Sequence, residues 1–410
     1  MMRAMDSGQP ICQHLPIASR TLRVAVVTET YPPEVNGVAM TISEMIAGLR
    51  QRRHQVQLIR PRQGRRDNAA TDSNFEEVLQ HGVAIPRYDF LKVGLPAKRA
   101  LLRLWSIKRP DLVHVVTEGP LGWSALAAAT ELKIPCSSDF HTNFHSYSRH
   151  YGIGWLRKPI AAYLRKFHNK ANCTLVPTSS MRADMEGEGY LNLRVVARGV
   201  DTRRFHPGKR SLALRRQWGI EPRQPVAMYV GRLAPEKNLP VVSQAYAAMK
   251  SVRPDARLVV VGDGPERAAL QASNPDFIFA GMRVGDDLAA HYASGDIFLF
   301  PSTTETYGNV TVEAMASGLA VIAYDYAAAA EHIRHGRNGL AADLDDAHEF
   351  IHLAANLVND ARRITLFGSR ARETAERIDW KHVHEEFETA LLNVVAEQDH
   401  ATGCMVGLPA

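Results

Sequence analysis

Cysteine is scarce and scattered: Cys12, Cys136, Cys173 and Cys404 form no CxxC pair and no zinc-ligand spacing. A disulfide framework and a zinc module are thereby excluded, and a reducing compartment is expected. No apolar run approaches the ~18 residues of a spanning helix, and the opening MMRAMDSGQPICQHLPIASR has no apolar core of the signal-peptide kind. Neither export nor a membrane span is expected, which places the chain in the cytoplasm. Helix-turn-helix, zinc-finger and RNP-like aromatic patterns are missing, so nucleic acid is not an expected partner. There is no GxGxxG run to bind a dinucleotide, and no Asp-x-Asp set as a magnesium site, since Asp343, Asp345 and Asp346 sit in a loop-like stretch. No internal repeat is detectable.

What the chain does carry is apolar material for two cores. Its 410 residues are 45% hydrophobic and 22% charged, the balance of a globular chain too long for one ordinary core. Residues 1–200 hold 27 Lys and Arg against 16 Asp and Glu, a balance of +11, whereas residues 201–410 hold 22 against 27, a balance of −5. The first half is therefore the one expected to face an anionic partner. Two of its segments, residues 95–110 (LPAKRALLRLWSIKRP) and 154–170 (GWLRKPIAAYLRKFHNK), set an apolar stripe beside basic residues at helical spacing. Singly, each reads equally well as a surface helix whose stripe faces the core. Together in one half they point to peripheral contact with an anionic membrane, at about 1 kcal/mol per basic residue near the surface.

Residues 22–28 (LRVAVVT) read as a buried strand, and the loop, helix and second strand that follow complete a βαβ unit. Asn36-Gly37 turns directly into the helix, where Gly37 lets backbone approach a ligand with no Cβ in the way. Gly37 is a candidate phosphate contact, although Asn-Gly before a helix is also an ordinary loop feature. Residues 111–116 (DLVHVV) and 135–140 (PCSSDF) read as later strands of the same sheet, with His141 emerging at a strand's carboxyl end. Open α/β sheets bind ligands outside that edge, so His141 is a candidate for work on substrate, against the alternative of a histidine satisfied by backbone.

In the second half, a strand at 226–230 leads into Gly231 and a loop bearing Arg232 and Lys237, two cations able to clamp a diphosphate. Another strand ends at Gly262. Residues 296–301 (DIFLFP) read as a buried strand, the Ser/Thr/Gly cluster after it as a loop, and VTVEAMASG as a helix. Glu305 then sits at the strand's carboxyl end. The amides of Gly308, Asn309, Val310 and Thr311 are expected to be unpaired donors at a helix N-terminus, where the dipole favours phosphate. Glu313, about one turn further on at ~1.5 Å rise per residue, comes within reach of a ribose hydroxyl. A Glu in a first helical turn is equally common as a plain dipole partner.

The order and spacing of Glu305 and Glu313 in FPSTTETYGNVTVEAMASG resemble the Glu-x7-Glu element of retaining GT-B glycosyltransferases, glycosyltransferase family 4. The run from Tyr31 to Gly37, the Phe140-His141-Thr142 segment and GRLAPEKN at 231–238 are similar to further motifs of that family, so the resemblance covers nearly the whole chain. It implies an α/β fold of two Rossmann-like domains facing across a cleft. Residues 20–199 would bind the acceptor and residues 200–379 the nucleotide sugar; a helix at 380–397 would cross back to the first domain, leaving tails at 1–19 and 398–410. ARGVDTRRFHP at 197–207 looks like the interdomain hinge.

The same resemblance implies His141 near the donor sugar, with His145 less favoured. It puts Arg232 and Lys237 on the diphosphate, Glu305 on sugar hydroxyls and Glu313 on the ribose. Gly262 would lie against the nucleotide, and Met282 and Arg283 at the base. The reaction would retain anomeric configuration and need no cofactor or metal, and the departing phosphate could itself take the acceptor's proton, which leaves the base open. The motifs look closest to bacterial α-mannosyltransferases using GDP-mannose, with a lipid or glycan acceptor at the cytoplasmic face of the inner membrane. Alternatives are a UDP-hexose-dependent glucosyl-, galactosyl- or sulfoquinovosyl-diacylglycerol transferase, a nucleotide-sugar epimerase on the same fold, and a noncatalytic membrane-associated module.

Overall fold

The β-branched apolar runs become central strands of two parallel sheets in the computed structural model, which describes residues 20–405 apart from 35, 65, 86–87 and 142–156. The first part of the chain forms β1 (Arg23–Val27), β2 (Gln55–Pro61), β3 (Thr71–Asp72), β4 (Phe75–Gln80), β5 (Gly82–Ile85), β6 (Tyr88–Gly94), β7 (Leu112–Val115), β8 (Cys136–Asp139), β9 (Cys173–Val176) and β10 (Leu193–Val195). Eight of these make one sheet in the order β10-β9-β8-β7-β1-β2-β4-β3, and β5 and β6 pair apart from it as a hairpin. Every pair in the large sheet is parallel except β3 with β4.

The second part forms β11 (Val226–Val230), β12 (Arg257–Val261), β13 (Ile278–Gly281), β14 (Ile297–Phe300), β15 (Ala320–Tyr324) and β16 (Leu340–Ala342). They make an all-parallel sheet in the order β13-β12-β11-β14-β15-β16. Central strands such as β11 and β14 are buried along their whole length, which is why they read as continuous apolar runs instead of alternating ones. Strand order reverses beside β1 in one sheet and beside β11 in the other. A crevice opens at such a reversal, outside the strands' carboxyl ends.

The final helix, Trp380–Met405, returns to the first sheet. Val383, Phe387, Leu391, Val394 and Val395 are buried there against Leu22, Val24 and Val26. Two chain crossings touch on the way: Val200 N donates to Ile378 O at 3.1 Å, and a Cβ on Gly199 would lie 2.7 Å from the Trp380 ring. The sequence reading ends this helix at 397 and makes a tail from 398. The helix instead runs eight residues further, to Met405.

Both apolar stripes of the basic segments turn inward. Leu101 and Trp105 of the helix Lys98–Ile107 are fully buried, and Trp105 Nε1 donates to Gln57 Oε1 at 3.0 Å. Leu164 and Phe167 of the helix Arg157–His168 are likewise buried. Residues 154–156 of the second segment lie outside the described residues. Lys98, Arg99, Arg103, Lys108 and Arg109 remain on the outer face, beside an Ile107 that is 88% exposed.

Candidate active site

A cavity of about 330 Å³ opens between the two sheets, lined from the first by Gly37, Val38, Thr41, His141 and Arg198. From the second come Gly231, Arg232, Lys237, Phe300, Glu305 and the run from Thr306 to Val310. Two helix N-termini face it. The helix Gly37–Gln51 is capped by Asn36, whose Oδ1 accepts from Ala39 N at 2.8 Å. Opposite, the helix Asn309–Ala316 begins after Gly308, which holds a left-handed φ of 91° that other residues adopt only at a cost. The two ends come so close that a Cβ on Gly37 would lie 3.8 Å from Asn309 Nδ2. Oriented amides and helix dipoles from both halves therefore converge on one space, an arrangement that favours an anion.

One expectation about those amides needs correcting. Thr311 N donates to Gly308 O at 3.0 Å, because the first turn tightens onto its cap, so this amide is not an open donor. The amides of Asn309 and Val310 have no hydrogen-bond partner among the described residues and remain at the open end.

Lys237 and Glu305 meet as an ion pair across the loops that follow β11 and β14. Ser302 Oγ donates to the same Glu305 oxygen at 2.6 Å, and Lys237 Nζ sits 5.9 Å from the Phe300 ring centre. The pair fixes a carboxylate and an ammonium side by side on the cavity wall. Arg232, on the same loop as Lys237, is exposed at the mouth, its carbonyl accepting from Tyr229 OH at 3.1 Å.

His141 is held more tightly than its position suggests. Arg198 Nη2 donates to His141 Nδ1 at 3.0 Å, which leaves the ring proton on Nε2, 2.9 Å from Asp139 Oδ2. Burial and the Arg198 charge both push the imidazole's pKa down, so the ring is neutral. Nδ1 is taken by Arg198, whereas Nε2 is buried beside Asp139 at ion-pair distance without a hydrogen bond in good alignment. The halves are also stitched together here: Thr306 Oγ1 donates to His141 O at 2.8 Å, and Tyr307 OH donates to Arg198 O at 2.9 Å. Arg198, Thr306 and Tyr307 were not among the expected site residues. Arg198 stood in a segment read as hinge, and the other two flanked Glu305 without being singled out.

Five expected residues lie off the cavity wall. Glu313 Oε2 accepts from Tyr292 OH at 2.9 Å behind the helix end, and burial pushes its carboxyl up to about 7. Thr311 is buried beside it. Gly262 has a local structural reason: at φ 138° its missing Cβ would fall 1.9 Å from Gly231 O, so the two strand-end loops need a glycine to pack. Met282 is 65% exposed, and Arg283 donates to Ala280 O at 2.9 Å and Asp287 Oδ2 at 3.2 Å. All five nonetheless belong to the carboxyl edge of the second sheet, along with Gly231 and Glu305. His145 lies outside the described residues. Among those described, no three His, Cys, Asp or Glu converge in a way that could hold a metal ion, and Asp346 instead caps a helix by accepting from Glu349 N.

Two family models match the chain, one described as Glycosyltransferase Family 4 over residues 35–204 and one as glycosyl transferases group 1 over residues 224–360. A GDP-mannose-dependent alpha-mannosyltransferase of Corynebacterium glutamicum is 34% identical, over 92% of this chain and 90% of its own length. An alpha-monoglucosyldiacylglycerol synthase of Streptococcus pneumoniae is 30% identical over 74% of this chain and 71% of its own. Among solved structures, a sucrose-phosphate synthase from Thermosynechococcus elongatus superposes with a TM-score of 0.75 at 17% identity, over 92% of this chain and all of that one.

Proposed function

The chain belongs to glycosyltransferase family 4, and from that premise we propose that it carries mannose from GDP-mannose to a lipid or lipid-linked acceptor, retaining the donor's anomeric configuration and using no metal ion. That it is a glycosyltransferase of GT-B fold follows from its relatives; donor, acceptor and metal use are our reading. One observation carries it: two helix N-termini, Lys237 and Arg232 surround a single cavity between the sheets. Sugar transfer from a nucleotide diphosphate builds negative charge on the departing phosphates. Fixed amide dipoles and two cations neutralise that charge without reorganising. Lys237 breaks its contact with Glu305 to do so, which frees the carboxylate to accept from donor-sugar hydroxyls. Glu313, with Tyr292 behind it, takes the ribose, and Gly262, Met282 and Arg283 border the base at the outer end of the sheet edge.

His141 is buried with Nδ1 held by Arg198 and Nε2 turned toward Asp139, so it is assigned to shape and support around the sugar. The proton of the attacking hydroxyl goes to the departing phosphate oxygen, the one basic group that the reaction itself creates. The mannose donor is supported by the 34% identity to the mannosyltransferase, and a lipid acceptor by the relative whose product is a diacylglycerol glycoside. The outward basic residues of the helix Lys98–Ile107 supply the membrane-facing side of this reading. Release of nucleoside diphosphate from GDP-mannose, UDP-glucose and UDP-galactose, with and without lipid extract and with and without EDTA, tests it. GDP release that needs lipid and survives EDTA is expected. Preference for a UDP-hexose would reassign the donor, no release with any acceptor would favour an epimerase, and strict Mn²⁺ or Mg²⁺ dependence would refute the metal-free mechanism.

A further inference from the structure

A second cavity, of about 320 Å³, lies in the second half of the chain against the far side of the crevice wall. Arg334, Arg337, Arg370 and Arg377 line it. None of the four has a carboxylate within 4.0 Å among the described residues, whereas neighbouring Arg372 is paired with Glu376 at 2.8 Å and Arg267 with Asp263 at 2.9 Å. Two of the four donate to backbone carbonyls, Arg334 to Ala330 O at 3.4 Å and Arg370 to Arg337 O at 3.3 Å. Four like charges gathered around one hollow repel one another, a cost that a bound anion would remove.

The lining is not uniformly basic. Glu331 and Glu373 also face the hollow, and neither forms an ion pair with these arginines. A site for a bare anion gains nothing from carboxylates, but a ligand with both a phosphate and hydroxyl groups uses both: guanidinium forks bind the phosphate and carboxylates accept from the hydroxyls. The volume is at the small end of the range for ligand sites, enough for a sugar-sized molecule. We propose that this cavity binds a phosphorylated sugar or polyol, either free or as the headgroup of a lipid, separately from the crevice that holds the nucleotide.

Its position ties it to the crevice. His332, on the cavity wall, donates from Nε2 to Tyr307 OH at 2.9 Å, and Tyr307 lines the crevice and donates to Arg198 O. Glu331 accepts from Ser179 N of the first half at 2.8 Å. One contact that joins the halves, Ser179 to Glu331, thus borders the second cavity, and another, Tyr307 to Arg198, is linked to it through His332.

Calorimetric titration with mannose 6-phosphate, and flotation with vesicles of phosphatidylinositol in phosphatidylcholine, distinguish the two sources. Both are done with the crevice filled by saturating GDP or UDP. Saturable binding by one or both probes is expected, weakened about tenfold or more in the double variant Arg337→Gln, Arg370→Gln. Nucleotide affinity, measured on the same variant, should stay at the wild-type value, which also shows that the variant is folded. Absence of binding by both probes, or binding that the double variant leaves unchanged, overturns the proposal. Because nucleotide binding is read separately, failure here is distinct from failure of the glycosyltransferase assignment.

Discussion

Glu305 and Lys237 are the residues to which we assign the chemistry, and substitutions separate their proposed roles by experiment. Glu305→Ala removes the carboxylate proposed to meet the sugar and should lower turnover by about 10²-fold or more while leaving nucleotide affinity nearly intact. Lys237→Ala removes the proposed phosphate contact and should weaken both. Turnover and nucleotide binding measured side by side decide it; a fully active Glu305→Ala enzyme would remove the central assignment. Glu313 makes a pH prediction. Its buried carboxyl is raised from 4.5 to about 7, so between those values the folded protein holds a proton that the unfolded chain has released, and stability falls as pH rises. That contribution is complete below about 4.5 and gone above about 7. Glu313→Gln should therefore flatten the fall in Tm of the ligand-free protein across this window, leaving the parts due to Glu29, Glu34 and Glu44, which burial also raises, against the opposite slope from His141, His332 and His384, which burial lowers. An unchanged slope would show that Glu313 is ionised throughout.

At the scale of elements, what was legible in the sequence was whatever a local pattern encodes. Apolar runs announced β1, β11 and β14, and the glycine before VTVEAMASG announced the helix end that faces the crevice. Contacts between distant residues were not legible. Arg198 meets His141 across 57 positions, Tyr307 meets Arg198 across 109 and Glu305 meets Lys237 across 68, and no periodicity reports such meetings. The same limit applies to the basic segments, where an amphipathic stripe is equally compatible with lipid and with core, and packing against Gln57 and the first sheet decides for core. The last helix was read eight residues short because QDHATGCM contains Thr, Gly and no clear apolar period, so propensity fades before the helix does. Its crossover is a packing claim that can be checked: Phe387→Ala should cost about 3–5 kcal/mol of stability, read by denaturant unfolding, since the ring is 1% exposed in the first core. A loss under 1 kcal/mol would mean that the helix is not integral to that core.

For the whole molecule, the uneven charge is the feature that bears on the proposed membrane contact. On the membrane contact that we propose, a first half at +11 joined to a second at −5 would turn the first half toward the anionic surface. Binding to vesicles containing phosphatidylglycerol should weaken steeply with salt, and further when Lys98, Arg99 and Arg103 are changed to Gln; vesicle binding indifferent to those changes would place the contact elsewhere. In the proposed mechanism catalysis rests on the meeting of the halves, because each contributes one helix N-terminus to the cavity that they line together. The most direct test is a crystal structure of the protein with its product nucleotide, GDP or UDP. The account predicts phosphate density between Gly37 and Asn309, with an oxygen in contact with Lys237 and the ribose beside Glu313. Density in another part of the molecule, remote from Lys237 and Glu313, would contradict it.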